Sequence, residues 1–340
     1  GVVGFCLVVL YFLSTRGIGP DNPEKAGVQQ HEHDVNQPGL IGTLQRVCQH
    51  ARQQGDVFLI GEIGSEERET LARYQAPSLM DVVFNFNIGS QKTFDAARLC
   101  DEINATLTLQ SGLPTLFFSS HDMPRMISRF GEGPHDAARA LAVLALQLTV
   151  RGVPFIFQGD ELGMPDYVPQ TVGQIFDIQG KTFYDTAMRQ GCSAADALAQ
   201  AIEHSRDGTR APFLWCDAPF AGFSTSTPWM PVSQDYPLLN AEHQISTPGS
   251  LWRQYQTFIA LRAAIGALQH GECSLLKRHK ACVWFTRTTA QEQVWVAVNF
   301  GQPVQNPLWA IEADVLYGQN AQQLDKNQIL IKRSVYEQTR

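Results

Sequence analysis

His121 and Asp122 bring an imidazole and a carboxylate to the end of an apolar segment, residues 113–118. Polar groups at the end of a buried strand are typical of the C-terminal rim of a parallel barrel, where catalytic residues lie. Pro124 stops such a strand from continuing, because proline has no N–H to donate to a β-ladder. Taken alone, the segment fits a turn with a polar cap equally well.

The segments that must position this pair alternate between strand-like and helix-like patterns. Apolar runs predict five strands, at residues 2–12, 57–60, 80–86, 113–118 and 153–158. Helices are predicted at residues 40–54, 66–74, 94–103, 136–150, 193–204 and 251–268. Asn36 would cap the first of these helices, with Pro38 in its first turn. Strands separated by helices of this length form right-handed βα units around a parallel sheet.

Residues 164–184 and 205–231 are rich in loop-forming residues, and long loops often form functional lids or rims. From about Cys273 the pattern changes to short β-like runs at residues 281–285, 294–300 and 328–332. We therefore predict an α/β fold in two parts. Residues 1–268 would form barrel strands with their helices, and residues 269–340 a small antiparallel β domain.

The composition indicates a globular protein, with 44% hydrophobic and 17% charged residues in a chain of 340. A net charge of -7 argues against nucleic-acid binding. The seven cysteines lack CxxC spacing, which favours reduced thiols and a cytoplasmic location. The apolar run at residues 1–13 is too short to span a membrane and lacks a basic start, so we expect no membrane partner. It starts in mid-strand, which suggests that the front of a longer protein is missing.

Four motifs occur in one order along the chain: FLIGE, SSHDMPRMISRFG, GVPFIFQGDELGM and SRDGTRAPFLWCDAPFAGFSTSTPWMPV. Together they resemble the α-amylase superfamily, glycoside hydrolase family 13, and most of all its oligo-1,6-glucosidases and related α-glucosidases. The resemblance implies a (β/α)8 TIM barrel followed by a C-terminal β domain. On that scheme the chain holds an incomplete barrel, strands 4–8. The resemblance implies neither a cofactor nor a metal in this part of the fold.

The resemblance also implies roles for individual residues. The acid/base glutamate of the family falls on Glu62, and its transition-state-stabilising aspartate on Asp122. His121 matches the histidine that hydrogen-bonds the sugar in the first subsite. Arg206 matches an arginine of the same subsite, with Arg210 as a weaker candidate. The implied substrate is an isomaltose-like α-glucoside oligosaccharide.

One motif departs from the family. GVVGFCLVVLYF aligns with a strand that usually reads GVDGFRLDVVNF, so the nucleophilic aspartate falls on Val8 and its arginine on Cys6. Val9 is the residue type associated with α-1,6 preference in the family. Because the whole segment is apolar, we predict that Val8 lies in a buried strand.

A retaining glycosidase needs two carboxyl groups about 5–5.5 Å apart, one to protonate the leaving oxygen and one to attack the anomeric carbon. Glu62 suits the first role, because the apolar strand before it should raise its pKa. Val8 has no lone pair and cannot attack. Two substitutes stay open: a Cys6 thiolate, or an inverting reaction in which Asp122 activates a water.

We therefore predict an α-glucosidase-type glycoside hydrolase that is inactive as given. The alternative is a non-catalytic relative, which would bind or scaffold sugars or be a pseudogene remnant. Other motifs favour structural roles. The His31–Asp34 run, HEHD, lacks the helical HExxH spacing of a metal site and predicts a solvated loop. Arg125 and Arg129 fit a structural charged face or a substrate contact equally well. Likewise, Trp215 and Trp229 fit packing within a loop or stacking on a sugar equally well.

Overall fold

The computed structural model describes residues 4–13, 19–25, 28–65, 67–109, 112–133 and 136–336. The chain divides into two compact units. The first contains Gly1–Gly89 and Asp101–Leu116, and the second contains Ser90–Cys100 and Phe117–Arg340. None of the described helices combines the length and the apolar character needed to cross a bilayer. The domain boundary expected between residues 268 and 269 stays a prediction.

The first unit is built on a parallel three-stranded sheet in the order Gly4–Leu7, Phe58–Gly61, Val82–Val83. Its elements, with the helix α4 that enters it from the second unit, are β1 (Gly4–Leu7), β2 (Glu24–Lys25), β3 (Val28–Gln29), α1 (Leu40–Gln53), β4 (Phe58–Gly61), α2 (Arg68–Tyr74), β5 (Val82–Val83), α3 (Phe86–Gly89), α4 (Ala96–Leu109) and β6 (Thr115–Leu116). The helix α1 buries Leu40, Leu44 and Cys48, which are four residues apart and therefore share one face. This apolar face packs into the core beside the sheet.

The predicted strand at residues 2–12 is wrong beyond Leu7, and residues 2 and 3 lie outside the described part. Val9 has φ 53°, so the chain turns there and continues as a 3₁₀ turn, Leu10–Phe12. The predicted cap by Asn36 is also wrong, because Asn36 accepts a hydrogen bond from the Tyr74 hydroxyl. Gly39, with φ 95°, precedes α1 instead.

Several predicted strands are shorter in the structure. Only Val82–Val83 of residues 80–86 pairs, because the Asn85 side chain accepts a hydrogen bond from the Asn87 N–H as the chain turns into α3. The predicted strands at 113–118 and 153–158 are limited to two residues each, in β6 and in Val153–Pro154. Pro114 and Pro154 have no N–H to extend a ladder.

The second unit is mainly helical up to residue 270, apart from one short strand, and ends in antiparallel strands. Its helices after α4 are α5 (Met126–Phe130), α6 (Ala137–Thr149), α7 (Ile178–Arg189), α8 (Ala194–Glu203), α9 (Asp207–Arg210), α10 (Ala241–Ser246), α11 (Leu251–Ala264) and α12 (Gly266–His270). Its strands are β7 (Val153–Pro154), β8 (Glu272–Cys273), β9 (Lys277–His279), β10 (Cys282–Thr288), β11 (Glu292–Asn299), β12 (Val304–Gln305), β13 (Asp314–Tyr317), β14 (Gln323–Leu324) and β15 (Ile329–Val335).

The terminal strands form an antiparallel sheet in the order β13-β15-β11-β10-β8, with β9 paired to β10, beside a smaller β12-β14 pair. The three predicted β runs correspond to β10, β11 and β15. Two other expectations need correction. The predicted helix at 251–268 is interrupted at Ile265, whose extended φ/ψ of -113° and 111° separates α11 from α12. The loop predicted at 164–184 contains the first half of α7, which begins where the Asp177 side chain accepts a hydrogen bond from the Gln179 N–H.

Candidate functional site

Asp122 is the centre of a charged cluster in the second unit. Its Oδ1 lies 2.5 Å from Arg210 Nη2 and 3.5 Å from Arg206 Nη1, and its Oδ2 lies 3.2 Å from His121 Nε2. The Asp122 side chain keeps 38% of its surface exposed. A carboxylate, an imidazole and two guanidinium groups therefore face solvent together, within reach of one small polar ligand.

A local turn sets the direction of Asp122. Ser120 and Met123 form an isolated antiparallel bridge, and the Asp122 N–H donates to Ser120 Oγ at 3.1 Å. Ser119 Oγ accepts a hydrogen bond from the Met126 N–H at 2.8 Å, where α5 begins. Ser120 therefore satisfies a backbone donor of the turn, and Ser119 satisfies one at the start of α5.

Arg206 is held from behind by Asp177. Its Nε and Nη2 donate to the two carboxylate oxygens at 2.7 and 3.0 Å, a bidentate arrangement that fixes the guanidinium plane. The hydrogen bonds from Arg206 lower the pKa of Asp177 well below its ordinary value, and the same contact raises the pKa of Arg206. Arg206 is thus a fixed cation beside Asp122.

Arg210 and Thr209 attach the same loop to the backbone of His121. Arg210 Nε and Thr209 Oγ1 both donate to the His121 carbonyl oxygen, at 2.8 and 3.1 Å. Arg210 makes the shorter contact with Asp122, although the sequence ranked it below Arg206. The loop that contains both arginines is therefore bonded to both the main chain and the side chain of the His121-Asp122 pair.

Arg125 is buried and Arg129 is half-buried, and both are bonded to main-chain carbonyl oxygens instead of forming a charged face. Arg125 donates to the carbonyl oxygens of Gln158 and Thr209, at 2.8 and 3.0 Å, and Arg129 donates to those of Pro124 and Phe118. Burial lowers the pKa of both guanidiniums, that of Arg129 to about 10. Both side chains tie the segment after Asp122 to its neighbours.

A cavity of about 1070 Å³ opens beside the cluster within the second unit. Asp122 and Arg206 line it together with Tyr167, Gln170 and Asp235. Its volume suits a ligand larger than a monosaccharide, and its polar lining provides both donors and acceptors. The cluster can therefore orient a hydroxylated ligand that enters this cavity.

Glu62 lies in the first unit, where β4 ends. The register pairs Leu7 of β1 with Gly61 of β4, so Val8 and Glu62 are the next residues of two adjacent parallel strands. The Glu62 N–H donates to the Leu7 carbonyl oxygen at 2.9 Å, and its own carbonyl accepts from the Leu10 N–H at 3.3 Å. These bonds fix the backbone of Glu62 beside position 8.

The prediction that Val8 is buried is wrong. Val8 exposes 55% of its surface, because the chain leaves the sheet after Leu7 and turns at Val9. Cys6 is exposed as well. The pKa of its thiol is raised by partial desolvation of the sulfur and by the negative charge of Glu62. The first unit thus brings Cys6, Val8 and Glu62 together, and the second unit brings His121, Asp122 and Arg206 together.

Other candidates have simpler roles. His31 Nδ1 lies 3.0 Å from Asp34 in an exposed turn, and in the described ranges no three His, Cys, Asp or Glu side chains are arranged to hold a metal ion. Asp160 begins a 3₁₀ turn and is buried. Trp229 exposes 70% of its surface and meets Phe176 edge-on. Asp177, which holds the Arg206 guanidinium in place, was not predicted from the sequence. An aspartate directly before a helix is nevertheless a recognisable cap.

A family model of the alpha-amylase catalytic domain matches residues 1–271. The oligo-1,6-glucosidase of Halalkalibacterium halodurans is 28% identical over 319 residues, which cover 88% of this chain and 57% of that protein. The α-glucosidase of Pediococcus pentosaceus is 31% identical over 298 residues, or 81% of this chain and 53% of that protein. The chain thus spans little more than half the length of these curated relatives.

Solved structures agree with the predicted fold class. The isomaltulose synthase of Klebsiella sp. LX3 superposes with a TM-score of 0.86 at 26% identity, over 98% of this chain and 65% of that one. The trehalose-6-phosphate hydrolase of Bacillus licheniformis gives a TM-score of 0.83 at 24% identity, with the same coverage. These neighbours are TIM-barrel enzymes with a C-terminal β domain, so the predicted fold class is confirmed. The sequence match over residues 1–271 and the structural similarity point to the same family. This chain therefore belongs to the α-amylase family, glycoside hydrolase family 13.

Proposed function

We propose that this chain is an α-glucosidase-type relative that recognises isomaltose-like α-glucosides and, with valine at position 8, does not hydrolyse them. His121, Asp122 and Arg206 are the proposed sugar-binding groups, and Glu62 is the proposed proton donor. The sequence relatives are named oligo-1,6-glucosidase and α-glucosidase, which supports this substrate class. The scattered cysteines support a cytoplasmic location.

The observation that carries the proposal is Val8. It follows β1 directly beside Glu62. The resemblance to the family aligns this position with the nucleophile of a retaining glycosidase. An isopropyl group can neither attack the anomeric carbon nor stabilise the positive charge that develops there. Loss of a nucleophile leaves only about 10³–10⁴-fold acceleration over water, from binding and the remaining groups.

Neither substitute for the nucleophile gains support. The raised pKa of Cys6 keeps its thiol protonated, and the thiolate is the nucleophilic form. An inverting reaction would require Asp122 to activate a water. Its Oδ1 already accepts hydrogen bonds from both Arg210 and Arg206, and its Oδ2 faces His121. This arrangement favours a fixed acceptor for sugar hydroxyls over a general base.

The test compares the chain with a Glu62→Gln variant in the hydrolysis of p-nitrophenyl α-glucoside and isomaltose. Equal rates are expected, and a clear Glu62-dependent turnover would refute the proposal. Isomaltose binding, measured by calorimetry, should be lost in Arg206→Ala and kept in Arg189→Ala, an exposed arginine at the end of α7. Absence of isomaltose binding to the unsubstituted chain would reject the proposal in favour of a scaffolding relative.

A further inference from the structure

A second cavity, of about 590 Å³, lies in the antiparallel part of the second unit. We call it the sheet cavity. One wall is the turn between β9 and β10 with the start of β10, and the other is the segment at residues 303–310. Its volume falls within the range of small-molecule sites. It shares no lining residue with the cavity beside Asp122.

Two tryptophans give the sheet cavity flat apolar faces. Trp284 packs against the buried cluster that includes Cys282 and Leu330, so its ring is held in place. Trp309 exposes 41% of its surface in the opposite wall. Indole faces of this kind bind the apolar side of ring-shaped ligands and leave a polar edge free. The lining therefore suits a ligand with a ring.

The polar groups of the sheet cavity are cationic or neutral. His279 and Lys280 line it, together with Gln305, and no Asp or Glu is found among its described lining residues. The register pairs His279 with Cys282 and Lys277 with Trp284, so His279 and Trp284 lie on one face of the hairpin. Within the described chain, no hydrogen bond or ion pair engages the Lys280 ammonium. A lysine without a carboxylate partner is a common phosphate ligand.

Lys280 also has an unusual backbone. It is the first of two residues that join β9 to β10, and its φ is 53°. Glycine or asparagine normally takes such a position, because a Cβ is disfavoured there. Residues kept in this region despite the cost are concentrated at functional sites. The exposed cation therefore stands at a turn position that other residues would occupy more stably.

We propose that the sheet cavity binds a phosphorylated monosaccharide, with the sugar ring against Trp309 and the phosphate against Lys280 and His279. Neutral sugars lack an anion to pair with the Lys280 ammonium, and neutral-sugar sites usually present carboxylates to pairs of hydroxyls. The site is independent of the proposed α-glucoside site, because none of its residues belongs to that cluster.

The test titrates glucose 6-phosphate into the full chain and follows tryptophan fluorescence and heat. Saturable binding is expected, and Lys280→Gly and Trp309→Ala should each weaken it at least about tenfold. Lys280→Gly removes the cation and relieves the turn, so its melting temperature should equal or exceed that of the parent chain. Trp215→Ala, at an exposed tryptophan outside the cavity, should bind normally.

Three results would overturn the proposal. Glucose or orthophosphate could bind as tightly as glucose 6-phosphate, glucose 6-phosphate could fail to bind, or Lys280→Gly could leave its affinity unchanged. Arg206→Ala separates the two proposals, since it should abolish isomaltose binding and leave glucose 6-phosphate binding intact.

Discussion

Replacing Asp177 by alanine tests the ion pair that fixes Arg206. The Asp177 carboxylate accepts hydrogen bonds from Arg206 Nε, Nη2 and N, and from the Gln179 N–H that starts α7. Its side chain is 2% exposed, whereas that of Arg206 is 36% exposed. The substitution therefore removes a buried anion, a helix cap and a bidentate pair together.

The expected loss of unfolding free energy is about 3 kcal/mol. Breaking a fully buried ion pair costs about 3–5 kcal/mol, but water can reach the freed guanidinium, so about 2 kcal/mol is assigned to the pair. Loss of the cap adds about 1 kcal/mol. For a chain of 340 residues the melting temperature should fall by about 4 °C.

Ser193→Ala is the matched control, because Ser193 caps α8 by accepting from the Asp196 N–H and has no ion pair with an arginine. It should cost about 1 kcal/mol. Both variants are compared by urea denaturation at several pH values. Because the pKa of Asp177 is lowered from 3.8, its contribution is complete above about pH 4 and is lost as the pH falls further. Equal losses in the two variants at pH 7 would refute the account of the ion pair.

Two further predictions concern burial and backbone geometry. Burial raises the pKa of Asp160 from 3.8 to about 6, so the folded chain binds the extra proton between these values and loses about 3 kcal/mol as the pH rises through them. In Asp160→Asn the loss of stability from pH 4 to pH 7 should be smaller by about that amount in urea denaturation, and an unchanged pH slope would contradict this. Gly318→Ala should destabilise the chain by more than about 3 kcal/mol, because its φ is 81° and an added Cβ would lie 1.9 Å from the Ile329 carbonyl oxygen. Gly249→Ala, with φ 75° and no atom within 4 Å, should cost only about 1 kcal/mol, and similar losses in both variants would rule out the clash.

Helices were easier to predict than strands in this chain. The helices α6 and α8 begin and end within a residue or two of the predictions. Asp136 and Ser193 cap them, α6 is apolar and buried over most of its length, and α8 buries Ala197 and Ala201 on one face. Apolar runs gave strands that were too long, as at residues 80–86. Such a run shows that a segment is buried, but the length of a ladder depends on whether a partner strand stays alongside.

The candidate site shows a similar division. The resemblance to the family singled out Glu62, Asp122, His121 and Arg206, and the alignment that it implies showed that position 8 has no carboxylate. It gave Arg210 as a weaker candidate than Arg206, although Arg210 makes the shorter contact with Asp122, and it did not find Asp177. Those contacts join residues 88 and 29 positions apart, and no local pattern reports which side chains meet across such distances.

By itself, the sequence determined the alternation of strands and helices, the family, and the chemical identity of the residue beside Glu62, since these depend on local periodicity and on residue type. Only the tertiary structure decided that two arginines reach Asp122, that Asp177 fixes one of them, and that Val8 is exposed after a turn at Val9. The physical reason is that hydrogen bonds and ion pairs act over a few ångströms in space, and folding brings distant parts of the chain within that range.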